Sequence, residues 1–390
     1  MITEFNNILL DGQTVNVTVR EGCIASISPN FGPAKRVILP LPVDPHVHLD
    51  KTFTIGRCQS AEPGLFGAIE AMAGDALNWT ETDLRTRMTQ ALSEAYDNGI
   101  AAMRSHIDWI QADVPLAWDV LGELAQDWRG RVHIQRASLS PLDMLGDPTC
   151  GSTIATRVAR DNEVLGCFVY RNKGLDELLE QVFDLAAQRN LLLDFHVDEG
   201  LDIEADAFDR IVALTSRYNM AGRVLCGHAC SLSIRPEAEV SRVLDAAAEA
   251  GIALTVLPNT NLWLQDSKQN ATPRQRGFAP IHELQAAGVP VLFGTDNVAD
   301  PFYRMGTYDA LDVLRIASVA AHLVPSDWLH SITTGPARAM GVNAPEIKVG
   351  APADFILIEG YSWDDALRDP RAQREIVRGG AIQPERKDTL

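Results

Sequence analysis

The chain has 390 residues, of which 46% are hydrophobic and 22% charged, a composition that is ordinary for a globular enzyme. Its 52 acidic residues outnumber the 34 basic ones, giving a formal net charge of −18 without any dense run of Lys or Arg. Binding to a nucleic-acid backbone needs clustered positive charge, so we predict no nucleic-acid partner.

The start of the chain and its cysteines bear on location. The first residues, Met1 to Asn7, lack a basic segment followed by an apolar one, which predicts no secretory signal. No apolar run approaches the roughly 18 residues that span a bilayer. The six cysteines are scattered without a Cys-x-x-Cys pair, a pattern typical of reduced, buried thiols. We therefore expect a cytoplasmic protein with no membrane partner.

Short β-strands are predicted at both ends of the chain. Alternating segments over residues 7–10, 15–20 and 23–27 are separated by Asp11-Gly12 and Glu21-Gly22, pairs that favour hairpins. Strand patterns return at residues 354–358 and 375–382. We predict that residues 1–42 and 345–390 together form one small β-sandwich module.

Between these ends, over residues 43–344, apolar strands alternate with helical stretches such as residues 175–188 and 237–250. The eight strand candidates end at His46, His106, Gln135, Tyr170, His196, Cys226, Leu257 and Phe293. This repeated pattern predicts an α/β fold, specifically a (β/α)8 TIM-type barrel. A doubly wound sheet is the alternative, but no Gly-x-Gly-x-x-Gly follows the first strand.

Candidate metal ligands stand at the ends of four of these strands. His46 and His48 are two residues apart, and residues i and i+2 of a strand point to the same face. His196 ends the fifth strand, His228 the sixth, and Asp296 follows the eighth. Because the carboxyl ends of barrel strands converge on one mouth, we expect these side chains to meet. Imidazoles with a carboxylate suit zinc, iron(II) or manganese and leave a position for water.

Glu199 lies three residues after His196, just past the end of a predicted strand. A carboxylate beside a metal-activated water can carry the proton of that water to a leaving nitrogen. The alternative is a solvated loop acid, in keeping with the neighbouring Asp198 and Asp202. Its position relative to His196 favours catalysis.

Together these motifs resemble the amidohydrolase superfamily, specifically its cytosine deaminase-like branch, and they are also similar to the N-isopropylammelide amidohydrolases. The resemblance runs from Leu9 to about Gly380 and is densest at residues 43–52, 195–199 and 293–303. The segment Asp300-Pro301-Phe302-Tyr303 is unusually specific, because the family carries an Asp-Pro-aromatic-Tyr sequence after its metal aspartate.

This resemblance implies a distorted barrel, a β-sandwich from the two termini, and one divalent metal, zinc or iron, with manganese also open. The implied ligands are His46, His48, His196 and Asp296. His228 would orient the attacking water and the substrate oxyanion, Glu199 would move protons to the ring nitrogen and the departing amine, and Asp296 would share the proton of the water. The implied reaction is attack of metal-bound hydroxide on an amidine-like ring carbon with loss of ammonia.

Two positions depart from the cytosine deaminases of that branch. Those enzymes contact the pyrimidine through a glutamine after the third strand, beside an aromatic wall, where this chain has residues 136–141 with neither. An acid that follows their metal aspartate is Asn297 here. These differences leave the hydrolytic residues intact, but they argue against cytosine itself as the substrate. Arg136 and Ser140 become candidate substrate contacts, with an outward-facing ion pair as the alternative for Arg136.

Further candidates surround the predicted mouth. Trp263 and Phe302, with Tyr303, would stack on a planar ring or serve only in packing. Lys51 is either structural or substrate-facing. His106 is expected to line the pocket or to support the ligands.

The sequence thus predicts a metal-dependent hydrolase of C–N bonds that deaminates a cytosine-like nitrogen heterocycle and releases ammonia. Release of an alkylamine from a triazine, or opening of a cyclic amide, are the enzymatic alternatives. A non-catalytic scaffold that keeps the barrel is disfavoured, because such proteins tend to lose ligands and every expected ligand is present. The expected partner is a small heterocyclic substrate, and a homo-oligomer is left open.

Overall fold

The structure is a computed structural model that describes residues 2–60 and 62–384. Met1 and residues 385–390, which belong to the predicted terminal module, lie outside the described residues, as does Ala61. The strands are β1 (Ile2–Leu10), β2 (Gln13–Arg20), β3 (Cys23–Pro29), β4 (Arg36–Pro40), β5 (Val43–Val47), β6 (Ala102–Asp108), β7 (His133–Pro141), β8 (Leu165–Val169), β9 (Leu193–Val197), β10 (Val224–His228), β11 (Ala253–Val256), β12 (Val291–Phe293), β13 (Phe355–Glu359), β14 (Arg374–Arg378) and β15 (Ala381–Ile382).

The helices surround the strands in chain order. They are α1 (Leu65–Ala76), α2 (Glu81–Asp97), α3 (Leu116–Asp127), α4 (Leu142–Leu145), α5 (Pro148–Arg160), α6 (Leu175–Arg189), α7 (Ala207–Arg217), α8 (Glu237–Ala250), α9 (Pro258–Leu264), α10 (Ile281–Ala287), α11 (Ala310–Ala321), α12 (Thr334–Met340) and α13 (Trp363–Arg368), with 3₁₀ turns at Cys230–Ile234 and Pro325–Ile332. No helix in the described part of the chain is long and apolar enough to cross a membrane.

Strands β5 to β12 form an eight-stranded parallel sheet in chain order. The last strand returns to the first, because the backbone N–H of Asp296 donates to the carbonyl of His46 at 2.9 Å and Val47 bridges to Asp296 in parallel. This contact closes the ring and places the carboxyl ends of all the strands at one mouth. The predicted (β/α)8 barrel is confirmed.

Helix α8 illustrates how the outer layer follows from the sequence. Its buried residues recur at helical spacing and so form one apolar stripe facing the barrel. They are Val240, Val243, Leu244, Ala247 and Ala250. Gly251 ends the helix with a φ of 70°, in the left-handed region that glycine adopts without a steric penalty. The bounds match the predicted residues 237–250.

The two chain ends build a seven-stranded mixed sheet in the order β15-β14-β13-β4-β1-β2-β3. It bends back on itself, since the backbone of Ile24 in β3 exchanges hydrogen bonds with Gly350 and Ala351 just before β13. Its own apolar core, separate from that of the barrel, includes Phe5 and Phe355 with ring centroids 5.3 Å apart. A β-module from both termini therefore accompanies the barrel, as the predicted fold class requires.

Strand bounds differ from the prediction at several places, and two of the differences change a turn or the direction of candidate side chains. The segment over residues 375–382 is a hairpin, β14 and β15, because Gly379 and Gly380 take φ values of 54° and 78° and turn the chain. Strand β7 continues from Gln135, where the sequence predicted its end, to Pro141. This extension decides where Arg136 and Ser140 point.

Candidate active site

Three histidines and one aspartate meet at the barrel mouth. His46 lies in β5, His48 directly follows it, His196 lies in β9, and Asp296 follows β12. His48 Nε2 is 3.2 Å from His196 Nε2 and 3.2 Å from Asp296 Oδ1, while His46 Nε2 is 3.7 Å from the same carboxylate oxygen. All four side chains are buried. The structure thus brings the four predicted ligands together.

Several polar atoms of this group have no hydrogen-bond partner among the described residues. They include both ring nitrogens of His46, Nδ1 of His196 and both carboxylate oxygens of Asp296. Burying such atoms unpaired costs free energy, on the order of 1–3 kcal/mol each. A divalent cation would satisfy one nitrogen of a ring and a carboxylate oxygen, because imidazole nitrogens and carboxylate oxygens are its usual ligands. The donor set therefore fits a metal ion.

Two neighbouring histidines adjoin this set. Ligand atoms of His46, His228 and Asp296 lie within 4.8 Å of one another, and so do those of His46, His106 and His196. His106, in β6, is fully buried, with its ring centroid 4.2 Å from that of His46. The sequence placed His106 near the pocket, and the structure places it against the ligands themselves.

Burial keeps the imidazoles in their metal-binding form. The pKa values of His46, His48 and His196 lie well below the usual value, first because burial disfavours the charged ring and then because neighbouring positive charges repel it. Neutral imidazole is the ligand form of histidine. Burial raises the pKa of Asp296 to about 6, against the opposing charges of His228 and Lys51.

Glu199 is buried close to the ligands. Its Oε1 is 3.6 Å from His228 Nδ1. Burial, aided by the charge of Asp296, raises the pKa of Glu199 well above its ordinary value, although Lys51 opposes the shift. A carboxyl group that holds a proton near neutral pH suits an acid–base role. The alternative of a solvated loop acid is excluded by this burial.

Sequence reasoning missed the contribution of α9. The Asn261 amide Nδ2 lies 3.0 Å from His228 Nδ1, and the Thr260 hydroxyl accepts from the backbone N–H of Asn297 at 3.4 Å. The short helix therefore contacts the last residue of β10 and the loop that follows β12. No sequence motif pointed to Asn261, because its role depends on a contact with His228, which is distant in the sequence.

Lys51 forms a second group that the sequence left open. Its ammonium pairs with Asp108 and lies 5.7 Å from the centre of the Phe302 ring. Asp50 stands behind it and accepts from the backbone N–H of Asp108 at 2.9 Å. Lys51 is itself buried, so a positive charge is held beside the ligands and the aromatic wall.

Comparison with known proteins identifies the family of this arrangement. The sequence profile of the amidohydrolase family matches residues 90–382. The pterin deaminase of Rhizobium rhizogenes is 33% identical over 380 residues, covering 94% of this chain and 87% of that protein. The chain belongs to the amidohydrolase family. It is accordingly an enzyme of the class that hydrolyses C–N bonds.

Solved amidohydrolases share its fold. A 5-methylcytosine deaminase from Klebsiella pneumoniae, liganded with 5-fluorocytosine, superposes with a TM-score of 0.86 at 21% identity, over 100% of this chain and 98% of that one. An N-isopropylammelide isopropylaminohydrolase from Burkholderia multivorans gives 0.79 at 22% identity, over 98% and 97%. These likenesses confirm the barrel and the resemblance to this family.

Two predicted substrate contacts of this amidohydrolase are not at the mouth. Arg136 turns outward from β7, where its guanidinium pairs with Glu163 at 2.9 Å and donates to the Trp118 carbonyl at 2.8 Å. Ser140 is four residues on in the same strand, so it shares the outward face. Arg136 therefore forms the outward-facing ion pair that was the alternative to a substrate contact. It faces outward because β7 continues past Gln135.

The other predicted contacts remain near the site. Asn297 directly follows Asp296, and its Nδ2 donates to Asp300 at 2.7 Å. Phe302 is nearly buried, whereas Trp263 is 40% exposed at the rim, with its ring 6.3 Å from that of Tyr303. Phe302 therefore forms an inner wall and Trp263 an outer one.

Proposed function

We propose that this amidohydrolase is a metal-dependent aminohydrolase whose substrate is a fused, amino-substituted heterocycle of the pterin class. The observation that carries the reaction is the buried carboxyl of Glu199, 3.6 Å from His228 and adjacent to a cluster of four metal-type ligands. The pterin assignment is supported by the relative from Rhizobium rhizogenes, which matches nearly the whole chain.

The ligand set would be His46, His48, His196 and Asp296. A divalent metal held there would act as a Lewis acid and make water nucleophilic near neutral pH. Zinc, iron(II) and manganese all suit this mixed nitrogen and oxygen set. The carboxylate of Asp296, whose pKa burial raises to about 6, would also share a proton of the attacking water.

Glu199 would move the protons of the reaction. Burial raises the pKa of its carboxyl, which favours the protonated form, and that proton can be donated to the ring nitrogen next to the attacked carbon. The resulting carboxylate takes a proton from the attacking water and passes it to the exocyclic amine. One water is consumed, a C–O bond forms, the exocyclic C–N bond breaks, and ammonia leaves. The second proton of that water passes from the oxygen on the attacked carbon to Glu199, so that the carbonyl product forms and the carboxyl is protonated again.

The inner face of β7 supports a larger ring system than cytosine. Paired residues of neighbouring parallel strands point to the same face, and Ala137 pairs with His106 while Leu139 pairs with Asp108. A methyl and an isobutyl group therefore face inward from the segment where, by the family resemblance, a glutamine and an aromatic would be expected. Apolar side chains of this size leave space for, and contact, a second ring.

Planar recognition would come from the opposite wall. Phe302 offers a ring face inside the mouth, and Trp263 offers another at the rim. The Asn297 amide donates to Asp300, which leaves its Oδ1 free to accept from a ring N–H or an amino group. An aminopyrimidinone edge supplies such donors.

The test is a substrate comparison with purified enzyme reconstituted separately with zinc, iron(II) and manganese. Pterin, cytosine, 5-methylcytosine and N-isopropylammelide are assayed for both ammonia and isopropylamine. We expect ammonia from pterin at a kcat/KM at least about tenfold above that for cytosine. Isopropylamine release, or faster turnover of cytosine, would contradict the pterin assignment; no turnover of any of the four would contradict the aminohydrolase assignment. Glu199→Gln serves as the inactive control.

A further inference from the structure

His228 and Asn261 form a buried pair whose hydrogen bond fixes where the imidazole carries its proton. Asn261 Nδ2 lies 3.0 Å from His228 Nδ1, and both side chains are buried. An amide NH₂ only donates, so the ring nitrogen that it faces is the acceptor. We propose that Asn261 is a positioning residue that holds His228 in the neutral tautomer with its proton on Nε2. The inference rests on the proposed aminohydrolase function.

The position of Nε2 near the candidate metal ligands means that the tautomer decides whether His228 could bind a metal. Nε2 of His228 has no hydrogen-bond partner among the described residues. A ring nitrogen of His228 also lies within 4.8 Å of ligand atoms of His46 and Asp296. With a lone pair on Nε2, His228 would compete to become an additional metal ligand. With a proton there, it cannot ligate and is instead a donor to the substrate.

The backbone around the pair holds this geometry. His228 and Ala229 take φ values of 70° and 48°, so the chain turns sharply at the end of β10. This turn fixes the direction in which the His228 side chain leaves the backbone. On the other side, the backbone N–H of Asn261 donates to the Leu257 carbonyl at 3.0 Å and its carbonyl accepts from Gln265 at 2.9 Å. Asn261 is therefore fixed on α9 independently of His228.

The contact also involves Glu199, whose Oε1 is 3.6 Å from the same Nδ1. Burial raises the pKa of this carboxyl and so disfavours the carboxylate form, which would draw a proton onto Nδ1. At 3.6 Å the Glu199 oxygen is beyond hydrogen-bonding distance of Nδ1, whereas the Asn261 amide, at 3.0 Å, is within it. Glu199 and His228 both remain proton donors toward the substrate.

The first experiment is ¹⁵N NMR of histidine-labelled, metal-free protein, with the His228 signals assigned by their loss in His228→Gln. We expect the wild-type protein to give the Nε2–H pattern. In Asn261→Asp a carboxylate, which only accepts, faces Nδ1, so the proton is expected to move to Nδ1. The matched control is Asn259→Asp on the same helix, also buried, which should leave the tautomer of His228 unchanged.

The second readout is the visible spectrum of the cobalt(II)-substituted protein, which reports the number of ligands. Asn261→Asp should add a ligand through the freed lone pair, whereas Asn259→Asp should not. The kcat of Asn261→Asp should fall by about 10²-fold or more, and its KM should change by less than about threefold.

An Nδ1–H pattern in the wild-type protein would overturn the proposal, and that measurement requires no variant to fold. An unchanged tautomer in a folded Asn261→Asp would do the same. Because the NMR result needs no turnover, failure of the substrate assignment stays distinguishable from failure of this inference.

Discussion

The carboxamide of Asn297 donates from Nδ2 to Oδ2 of Asp300 at 2.7 Å, and both side chains are buried. The other oxygen of Asp300 accepts from the backbone N–H groups of Phe302 at 2.8 Å and Tyr303 at 3.0 Å. One carboxylate thus orients an amide beside the candidate ligands and holds the aromatic wall. The Asp-Pro-Phe-Tyr segment therefore has a physical role as well as a diagnostic one.

This buried carboxylate predicts a pH dependence of stability. Burial raises the pKa of Asp300 from 3.8 to about 7, despite the hydrogen bonds that lower it. An acid with a raised folded-state pKa binds its proton more tightly when folded, so stability falls as the pH rises from about 4 to above 7.

We expect Asp300→Asn to reduce the fall in stability between pH 5.5 and 8, by roughly 2 kcal/mol at most. Urea denaturation of chelated wild-type and variant protein at pH 5.5 and 8 measures the difference. An equal pH slope in both proteins would show that Asp300 is not the responsible group.

Glu199→Gln tests the proposed proton carrier. The amide keeps the volume but cannot move a proton, so kcat should fall by about 10²–10⁴-fold with the metal content unchanged. Glu204→Gln is the matched control, because Glu204 lies in the same loop with an exposed side chain paired to Arg171. Steady-state kinetics and metal analysis of both variants check the prediction. Wild-type kcat in Glu199→Gln would exclude the role.

His196→Ala tests the candidate ligand set. Removing one imidazole should lower the metal content from about one ion per chain to near zero. Metal at 100 times its Kd should stabilise the wild-type protein by about 2.7 kcal/mol and the variant by far less. His133→Ala is the control, since His133 is exposed at the opposite end of the barrel, at the start of β7. Equal metal content in His196→Ala would contradict the assignment.

Arg136→Ala separates a structural role from a substrate contact. The change leaves the partly buried Glu163 without its partner and should destabilise the fold by up to about 3 kcal/mol. Because the guanidinium faces the helix layer, KM should change by less than about twofold. Denaturation and steady-state kinetics on one preparation measure both quantities. A large rise in KM with unchanged stability would place Arg136 at the mouth after all.

The barrel and its ligand set could be predicted because both depend on local periodicity. Strands that alternate with helices place their carboxyl ends together, so His46, His196 and Asp296 could be brought to one site without coordinates. The family resemblance added the division of roles among them.

The substrate-contacting side chains were predicted less accurately than the ligands, because their direction depends on where each strand ends. Strand β7 continues through residues 136–141, and each added residue reverses the face of the next. Arg136 consequently faces α3 instead of the mouth. Asn261 was missed as an active-site neighbour, and the role of Lys51 was left open, for another reason: their roles come from contacts with His228 and Asp108 that no spacing reveals.

The central claim is that the buried His/Asp cluster makes this amidohydrolase a metal-dependent aminohydrolase. The most direct measurement is ammonia release from pterin by one preparation, assayed as purified, after chelation, and after return of one metal ion per chain. The account predicts that chelation abolishes turnover and that the returned metal restores it. Turnover that persists in fully chelated protein, or its absence at full metal occupancy, would contradict the account.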